Sequence, residues 1–315
     1  MLVSIIIPTF TRVALVKESL LSCAKLGEIA ELVVVDDCST DGTGVVLSEL
    51  AVTLNEAGTK MRVFYPAQNQ GAPACRNTGL TSAQGKYVVF VDSDDVVVPG
   101  GVSELVECLQ KDSALDYAYG KVIRTDEQLE PLRGNSMVGA PFSELPVEVA
   151  GYHWHTMGAI YRRSYLEKVG PWNEALTGSQ DWEYQARVKL AGGRGEFVDT
   201  VVGYWRQHES ARVGTRTFRY DYTHSVIKAC ESIAQHARQA GRYDRALANR
   251  LGGKMFLHGL EFSVHGFADE ARRTFSQVKL LPEISPGIKA LMSVFAFSPR
   301  LVNICAFRTI RAAKR

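Results

Sequence analysis

The sequence predicts an α/β fold: a mostly parallel sheet flanked by helices, followed by an α-helical C-terminal region. Three observations carry this. Short, wholly apolar, β-branched runs recur, each followed by a helical pattern, which is the rhythm of βαβ units. The early runs end abruptly in polar or acidic residues, as strands do at the carboxyl rim of a parallel sheet. Beyond about Thr215 the alternation gives way to helical periodicity. The expected division is residues 1–215 and 216–315. With 315 residues, 46% hydrophobic and 22% charged, the chain can bury a sizeable core.

Leu2 to Ile7 is apolar apart from Ser4 and closed by Pro8, and Thr9 to Arg12 then leads into a helix expected to bury Leu15, Leu20, Leu21 and Ala24. Leu32 to Val35 repeats the pattern, passing through Asp36, Asp37, Cys38, Ser39, Thr40, Asp41 and Gly42 into a helix with Val45, Val46, Leu47 and Leu50. Hydroxyls and acids there serve partly as helix caps, but two adjacent aspartates exceed that need. Arg62 to Tyr65 is a third strand, and a loop through Asn69, Gln70 and Gly71 opens a helix with Arg76, Asn77 and Gly79. Tyr87 to Val91 is a fourth. Further on, Glu104 to Gln110 reads as a helix, Tyr117 to Ile123 as a strand, and 124–149 as a loop over the site. A strand at Met157 to Tyr161, helices at Ser164 to Val169 and Gln180 to Leu190, and a last strand at Phe197 to Trp205 follow. Tyr220 to Ala240, Tyr243 to Val264 and Phe267 to Leu280 read as stacked helices.

The fourth strand runs straight into Asp92, Ser93, Asp94 and Asp95. Carboxylates cannot join an apolar core unpaired, so the strand must deliver them to a solvent-reachable edge. Crowded acids repel unless a cation sits among them, and Mg²⁺ or Mn²⁺ favours such oxygen ligands. An acidic turn before a helix would look similar. The six scattered cysteines form no CxxC pair, and read as reduced thiols of a cytosolic protein. The N-terminal run lacks a basic leader and reads as a strand rather than a signal peptide. No run approaches the ~20 apolar residues of a spanning helix. The net charge of +2 hides a C-terminal excess, six basic residues and no acid after Glu283. That tail, with Phe295, Phe297 and Phe307, reads either as a segment lying on an anionic membrane surface or as a closing helical pair. No recognition motif or basic stripe in the main region supports nucleic-acid binding.

Four ordered segments, SIIIPTFTR (Ser4 to Arg12), VVVDDCSTD (Val33 to Asp41), VFVDSDD (Val89 to Asp95) and SQDWEYQAR (Ser179 to Arg187), resemble those of the inverting family 2 glycosyltransferases. NQGAPACRNTG (Asn69 to Gly79) and GAIYRRSYLEKVGPWNEAL (Gly158 to Leu176) match two more of that family's segments, and the resemblance spans about 215 residues. It implies the GT-A fold, with a Rossmann-like sheet, and a sugar transfer from a nucleoside diphosphate sugar to a saccharide or lipid-linked saccharide. Surface polysaccharide assembly at the inner face of the plasma membrane is the implied setting. Pro8, Thr9, Phe10 and Arg12 would line the nucleotide site, with Asp36 on the uracil ring N–H and Asp37 toward the ribose. Arg76 would face the diphosphate or brace the acidic loop. Asp92 and Ser93 would complete the donor site, and Asp92 and Asp94, with Asp95 near, would hold Mn²⁺ or Mg²⁺; His208 is a further metal candidate. Asp181 is the implied general base. Trp154, His155 and Trp182 fall on the acceptor side, although tryptophans are equally core residues. Two rival readings are a sugar-phosphate nucleotidyltransferase, which would want a glycine-rich phosphate loop after the first strand, and a catalytically silent nucleotide-sugar-binding scaffold.

Overall fold

The computed structural model of the protein describes residues 2–134, 136–143, 145–207, 218–281 and 283–297. The predicted alternation is present: β1 (Val3–Thr9), α1 (Val13–Ala24), β2 (Ala30–Asp36), α2 (Thr43–Glu56), β3 (Lys60–Phe64), α3 (Ala72–Ser82) and β4 (Tyr87–Phe90) follow in order. Every residue of β1, β2 and β4 is buried, which is why these strands read as mainly apolar runs. After them come β5 (Val96–Val97), α4 (Pro99–Lys111), β6 (Tyr117–Thr125), β7 (Met137–Val138), β8 (Ala159–Arg162), α5 (Arg163–Val169), α6 (Gln180–Leu190) and β9 (Gly195–Arg206).

Among the described residues the strands form one sheet in the order β3-β2-β1-β4-β8-β6-β9-β5, with β7 on β6. β1 to β4 pair in parallel, β8 runs against both β4 and β6, and β9 runs parallel to β6. Only β5, β7 and β8 oppose the common direction, so the sheet is mostly parallel as expected. The carboxyl ends of β1 and β2 lie level, because Thr9 is the registered neighbour of Asp36. β4 sits on the other side of β1, with Phe90 beside Ile6. The acids that follow β2 and β4 therefore leave the same rim.

Two helical expectations are corrected. In α1 the buried apolar face is Val16, Leu20 and Cys23, whereas Leu21 is exposed; in α2 Leu47, Leu50 and Leu54 are buried and Val45 is exposed. Both exposed residues lie one step off the i, i+3, i+4 stripe that the sheet covers.

The chain divides into two compact units, and not by a single cut near residue 215. The first holds the whole sheet. The second gathers Ser143–Gly151, Ala175–Leu190 and the described residues from 218 onward. In it, α7 (Tyr220–Gln239), α8 (Arg245–Val264), α9 (Ala268–Leu280) and α10 (Pro286–Phe297) pack each against the next, and α6 packs on α7. Its core includes Trp182, Ala186, Ile233, Leu247, Leu251 and Phe275. Asp244 caps α8 by accepting from the Leu247 N–H at 2.8 Å. No described helix is long and apolar enough to cross a membrane. The tail from residue 298, including Phe307 and five of its six basic residues, lies outside the described residues, as does His208.

Candidate active site

The site is built at the ends of β1, β2 and β4. Two non-glycine residues there, Thr11 (φ 52°) and Cys38 (φ 66°), occupy the left-handed region, a strain that only over-determined loops retain. The hydroxyls and acids after β2 supply the overdetermination. Ser39 Oγ accepts from the Thr11 N–H (2.8 Å), Thr43 Oγ1 from the Arg12 N–H (3.1 Å), and Asp41 Oδ2 from the Val13 N–H (3.1 Å). The segment Ser39 to Thr43 thus caps α1, a helix with no side-chain cap of its own.

Asp36 and Asp37 are 2% and 4% exposed. Asp36 Oδ1 accepts from the N–H and hydroxyl of Ser39. Asp37 accepts from the Gln70 N–H on one oxygen (2.8 Å) and the Gly71 N–H on the other (2.7 Å), while Asn69 Nδ2 donates to its carbonyl (2.9 Å). Gly71 reaches this bond with φ 85° and ψ 162°, a conformation essentially restricted to glycine. The Asp37 carboxylate, expected to face a ribose, therefore anchors the loop that opens α3. Thr9 is 3% exposed, and no hydrogen-bond partner meets its Oγ1 among the described residues.

The acids after β4 each have a different neighbour. Asp92 accepts from Arg76 at 2.6 Å, and the Arg76 guanidinium lies 4.5 Å from the ring centre of Trp172. Asn77 fixes that tryptophan: its Oδ1 accepts from the Trp172 N–H (2.7 Å) and its Nδ2 donates to the Trp172 carbonyl (3.0 Å). The Arg-Asn and Gly-Pro-Trp segments, far apart in sequence, are one brace. Burial opposes ionisation of Asp92, but Arg76, His155 and Arg12 outweigh it and hold its carboxyl below the usual range. Asp94 lies 3.6 Å from Arg12. Asp95, 1% exposed, accepts from the Arg206 N–H at 3.0 Å and lies 3.8 Å from His155 Nε2.

Asp92, Asp95 and His155 present ligand atoms all within 4.8 Å of one another. Two carboxylates and an imidazole fit Mn²⁺ well and Mg²⁺ less well, since Mg²⁺ is selective for oxygen. His155 was expected on the acceptor side; it is 3% exposed, faces Asp95, and stacks 4.7 Å from Trp205. Its sequence signal was the alternation His153-Trp154-His155, which puts two imidazoles on one face of an extended segment but names no third ligand.

Two acceptor-side expectations are corrected. Trp154 is fully buried among Tyr117, Tyr119 and Phe142, and donates to Tyr161 Oη at 3.0 Å. Trp182 is 6% exposed and donates to the Ala150 carbonyl at 3.0 Å in the core of the second unit. A ring so enclosed has no face for a sugar. Asp181 stands in the first turn of α6, accepting from the Trp182 N–H at 2.8 Å. Its neighbours in the motif are structural: Glu183 and Arg187 pair at 2.8 Å, and Ser232 donates to Glu183 at 2.6 Å.

A profile of glycosyl transferase family 2 matches residues 4–170, more than half of the chain. The chain belongs to that family. This family 2 glycosyltransferase is 26% identical to a succinoglycan biosynthesis protein, ExoO, of Rhizobium meliloti (strain 1021) over 240 residues, which cover 73% of this chain and 67% of that protein. It is 32% identical to the glycosyltransferase GlyG of Streptococcus pneumoniae serotype 4 over 97 residues, 31% of each chain. Among solved structures it is similar to S. aureus TarS 1-349 in complex with UDP-GlcNAc (TM-score 0.69, 20% identity, 100% of this chain and 92% of that one). A mannosyltransferase of Pyrobaculum calidifontis in complex with GDP-Man and Mn²⁺ is a more distant likeness (TM-score 0.53, 20% identity, 99% and 85%). These structural likenesses show the fold, which is GT-A.

Proposed function

We propose that this transferase moves a sugar, with inversion, from a nucleoside diphosphate sugar, UDP-linked by preference, to a saccharide or lipid-linked saccharide acceptor in surface polysaccharide assembly at the inner membrane face. The observation that carries the reading is the gathering of five aspartates at the ends of β2 and β4, on either side of β1, with Arg12 after β1 and Arg76 of α3 beside Asp94 and Asp92. The named activity of ExoO, in succinoglycan biosynthesis, and the nucleotide sugars bound by TarS and the mannosyltransferase support it.

Pro8, Thr9, Phe10 and Asp36 receive the nucleobase, with Ser93 nearby, and Arg12 and Arg76 face the diphosphate. A divalent cation belongs on Asp92 and Asp94, whose side chains keep 32% and 21% of their surface, because an ion touching a diphosphate needs reachable ligands. Buried Asp95 and His155 stand behind them. When bound, that ion neutralises charge on the departing nucleoside diphosphate. Asp181 takes the proton from the acceptor hydroxyl as that oxygen attacks the anomeric carbon opposite the leaving group. His208 is a further ligand candidate on its motif alone, and the basic tail would rest on anionic lipid.

Thermal shift of the full chain with UDP, GDP, TDP and CDP, with and without Mn²⁺, tests the donor site. UDP with Mn²⁺ is expected to raise the Tm most, and no response to any nucleotide would overturn the reading. Mn²⁺ titration followed by electron paramagnetic resonance separates the ligands: Asp94→Asn weakens binding under the assignment above, whereas loss only in Asp95→Asn and His155→Ala would move the ion to the inner cluster. UDP release from UDP-sugars should be lost in Asp181→Asn with UDP binding intact; full turnover in that variant would remove Asp181 from the mechanism.

A further inference from the structure

Phe64 is the registered neighbour of Val35, so Tyr65 leaves β3 level with Asp36, as Thr9 does on the other side of β2. Thr9, Asp36 and Tyr65 thus form a row across three adjacent strand ends. Asp36 Oδ1 is taken by Ser39, and no hydrogen bond reaches its Oδ2 from the described residues, although Asp36 is only 2% exposed. That second oxygen is the acceptor left for an incoming donor. Beside it is Gly44, in the first turn of α2. A Cβ there would lie 3.5 Å from Asp36 Oδ2 and 3.8 Å from Tyr65 Cε1, so the oxygen and the phenol ring flank the same bare patch of helix. Tyr65 Oη is 3.4 Å from Ser48 Oγ, one turn along α2, which lays the ring along the helix and leaves the residue 55% exposed.

We propose that Tyr65 is the platform on which the base of the donor nucleotide stacks, while the base's ring N–H is directed to Asp36 Oδ2 over the space that Gly44 leaves open. This rests on the reading that Asp36 takes the nucleobase, and it divides the work. A carboxylate only accepts, so Asp36 chooses a base with a ring N–H, such as uracil, over cytosine, which has none. An aromatic face accepts any base, so Tyr65 supplies affinity without choice.

Isothermal titration of the full chain in Mn²⁺ with UDP, CDP and inorganic pyrophosphate separates these roles. Tyr65→Ala is expected to weaken UDP and CDP alike by about tenfold and to leave pyrophosphate unchanged. Tyr65→Phe, which loses only the contact to Ser48, should bind UDP within about twofold of the native chain. Gly44→Val should weaken UDP by filling the gap. If Tyr65→Ala binds UDP as the native chain does while Asp36→Asn loses the preference for UDP over CDP, the platform is refuted and the nucleobase reading stands. If Asp36→Asn keeps that preference, the nucleobase reading itself fails. Equal weakening of pyrophosphate in Tyr65→Ala would mark a general structural role and also refute the platform.

Discussion

Asp37→Asn changes one oxygen to an amide group and should loosen the loop that opens α3. In the native chain the two carboxylate oxygens accept separate backbone N–H groups at 2.8 and 2.7 Å, on a residue only 4% exposed. Hydrogen bonds to a charged group contribute about 1.5–3 kcal/mol each. Asparagine can satisfy only one of the two, and its NH₂ would face the other N–H, donor against donor. The loss is therefore on the order of 2 kcal/mol, which corresponds to about thirtyfold in a local opening equilibrium. Amide hydrogen exchange reads it directly: protection of Gln70 and Gly71 should fall by about that factor, with the β1 and β2 amides unchanged. A fall smaller than about threefold would show that these bonds do not hold the loop, and the assignment of Asp37 as its anchor would be withdrawn.

Trp154→Ala should lower stability by about 3–5 kcal/mol, as for other large buried aromatics; a near-native melting curve with weakened acceptor binding would instead restore the acceptor-side role. Arg76→Met should raise the Asp92 carboxyl toward its ordinary range and weaken UDP more than tenfold while leaving uridine binding unaltered, as measured by calorimetry. Lys189 donates to the Glu148 and Gly151 carbonyls, and burial pushes its ammonium from 10.5 down to about 7 despite Glu148, with Arg250 and Arg242 adding to the fall. Between pH 7 and 10.5 the unfolded chain holds a proton that the folded chain has released, so this residue's cost is full below pH 7 and shrinks as pH rises. The stability of the native chain relative to Lys189→Met should therefore climb by about 1 kcal/mol per pH unit from pH 7.5 to 9 in urea unfolding, and a flat difference would refute the burial argument.

What the sequence made legible follows from what kind of contact each residue makes. β1, β2 and β4 could be read because burial on both faces leaves mainly apolar residues, the buried Glu31 being paired with Ser4 and Arg62. The rim acids could be read because nothing but a strand end tolerates them there. β5 could not: it has two residues, and its partners Gly203 and Tyr204 lie over a hundred positions away. The loop-anchoring bonds of Asp37 could not be read because its partners are backbone N–H groups, which no residue type announces. For Trp154 and Trp182 the sequence left an acceptor-side and a core role equally open, because a buried indole and an exposed one have the same letter; only the fold encloses them. His155 needed Asp95, sixty positions earlier, to acquire a meaning.

Taken together, the rim is an arrangement of charges with unequal commitments. Asp37 is held by two backbone N–H groups, and Asp95 accepts from the Arg206 N–H beside His155. Asp92 and Asp94 are matched instead by Arg76 and Arg12, whose planar guanidinium groups suit diphosphate oxygens as well as carboxylates. On the proposed reading, Asp92 and Asp94 would hold the cation when it is bound, and Arg76 and Arg12, in exchange, would pair with the donor's phosphate oxygens. Such an exchange conserves the number of ion pairs, so affinity should depend less on the sum of the charges than on whether the cation and the diphosphate arrive together. UDP and Mn²⁺ should accordingly bind with positive coupling, each tightening the other by the same factor, and independent binding in a two-ligand titration would contradict the exchange.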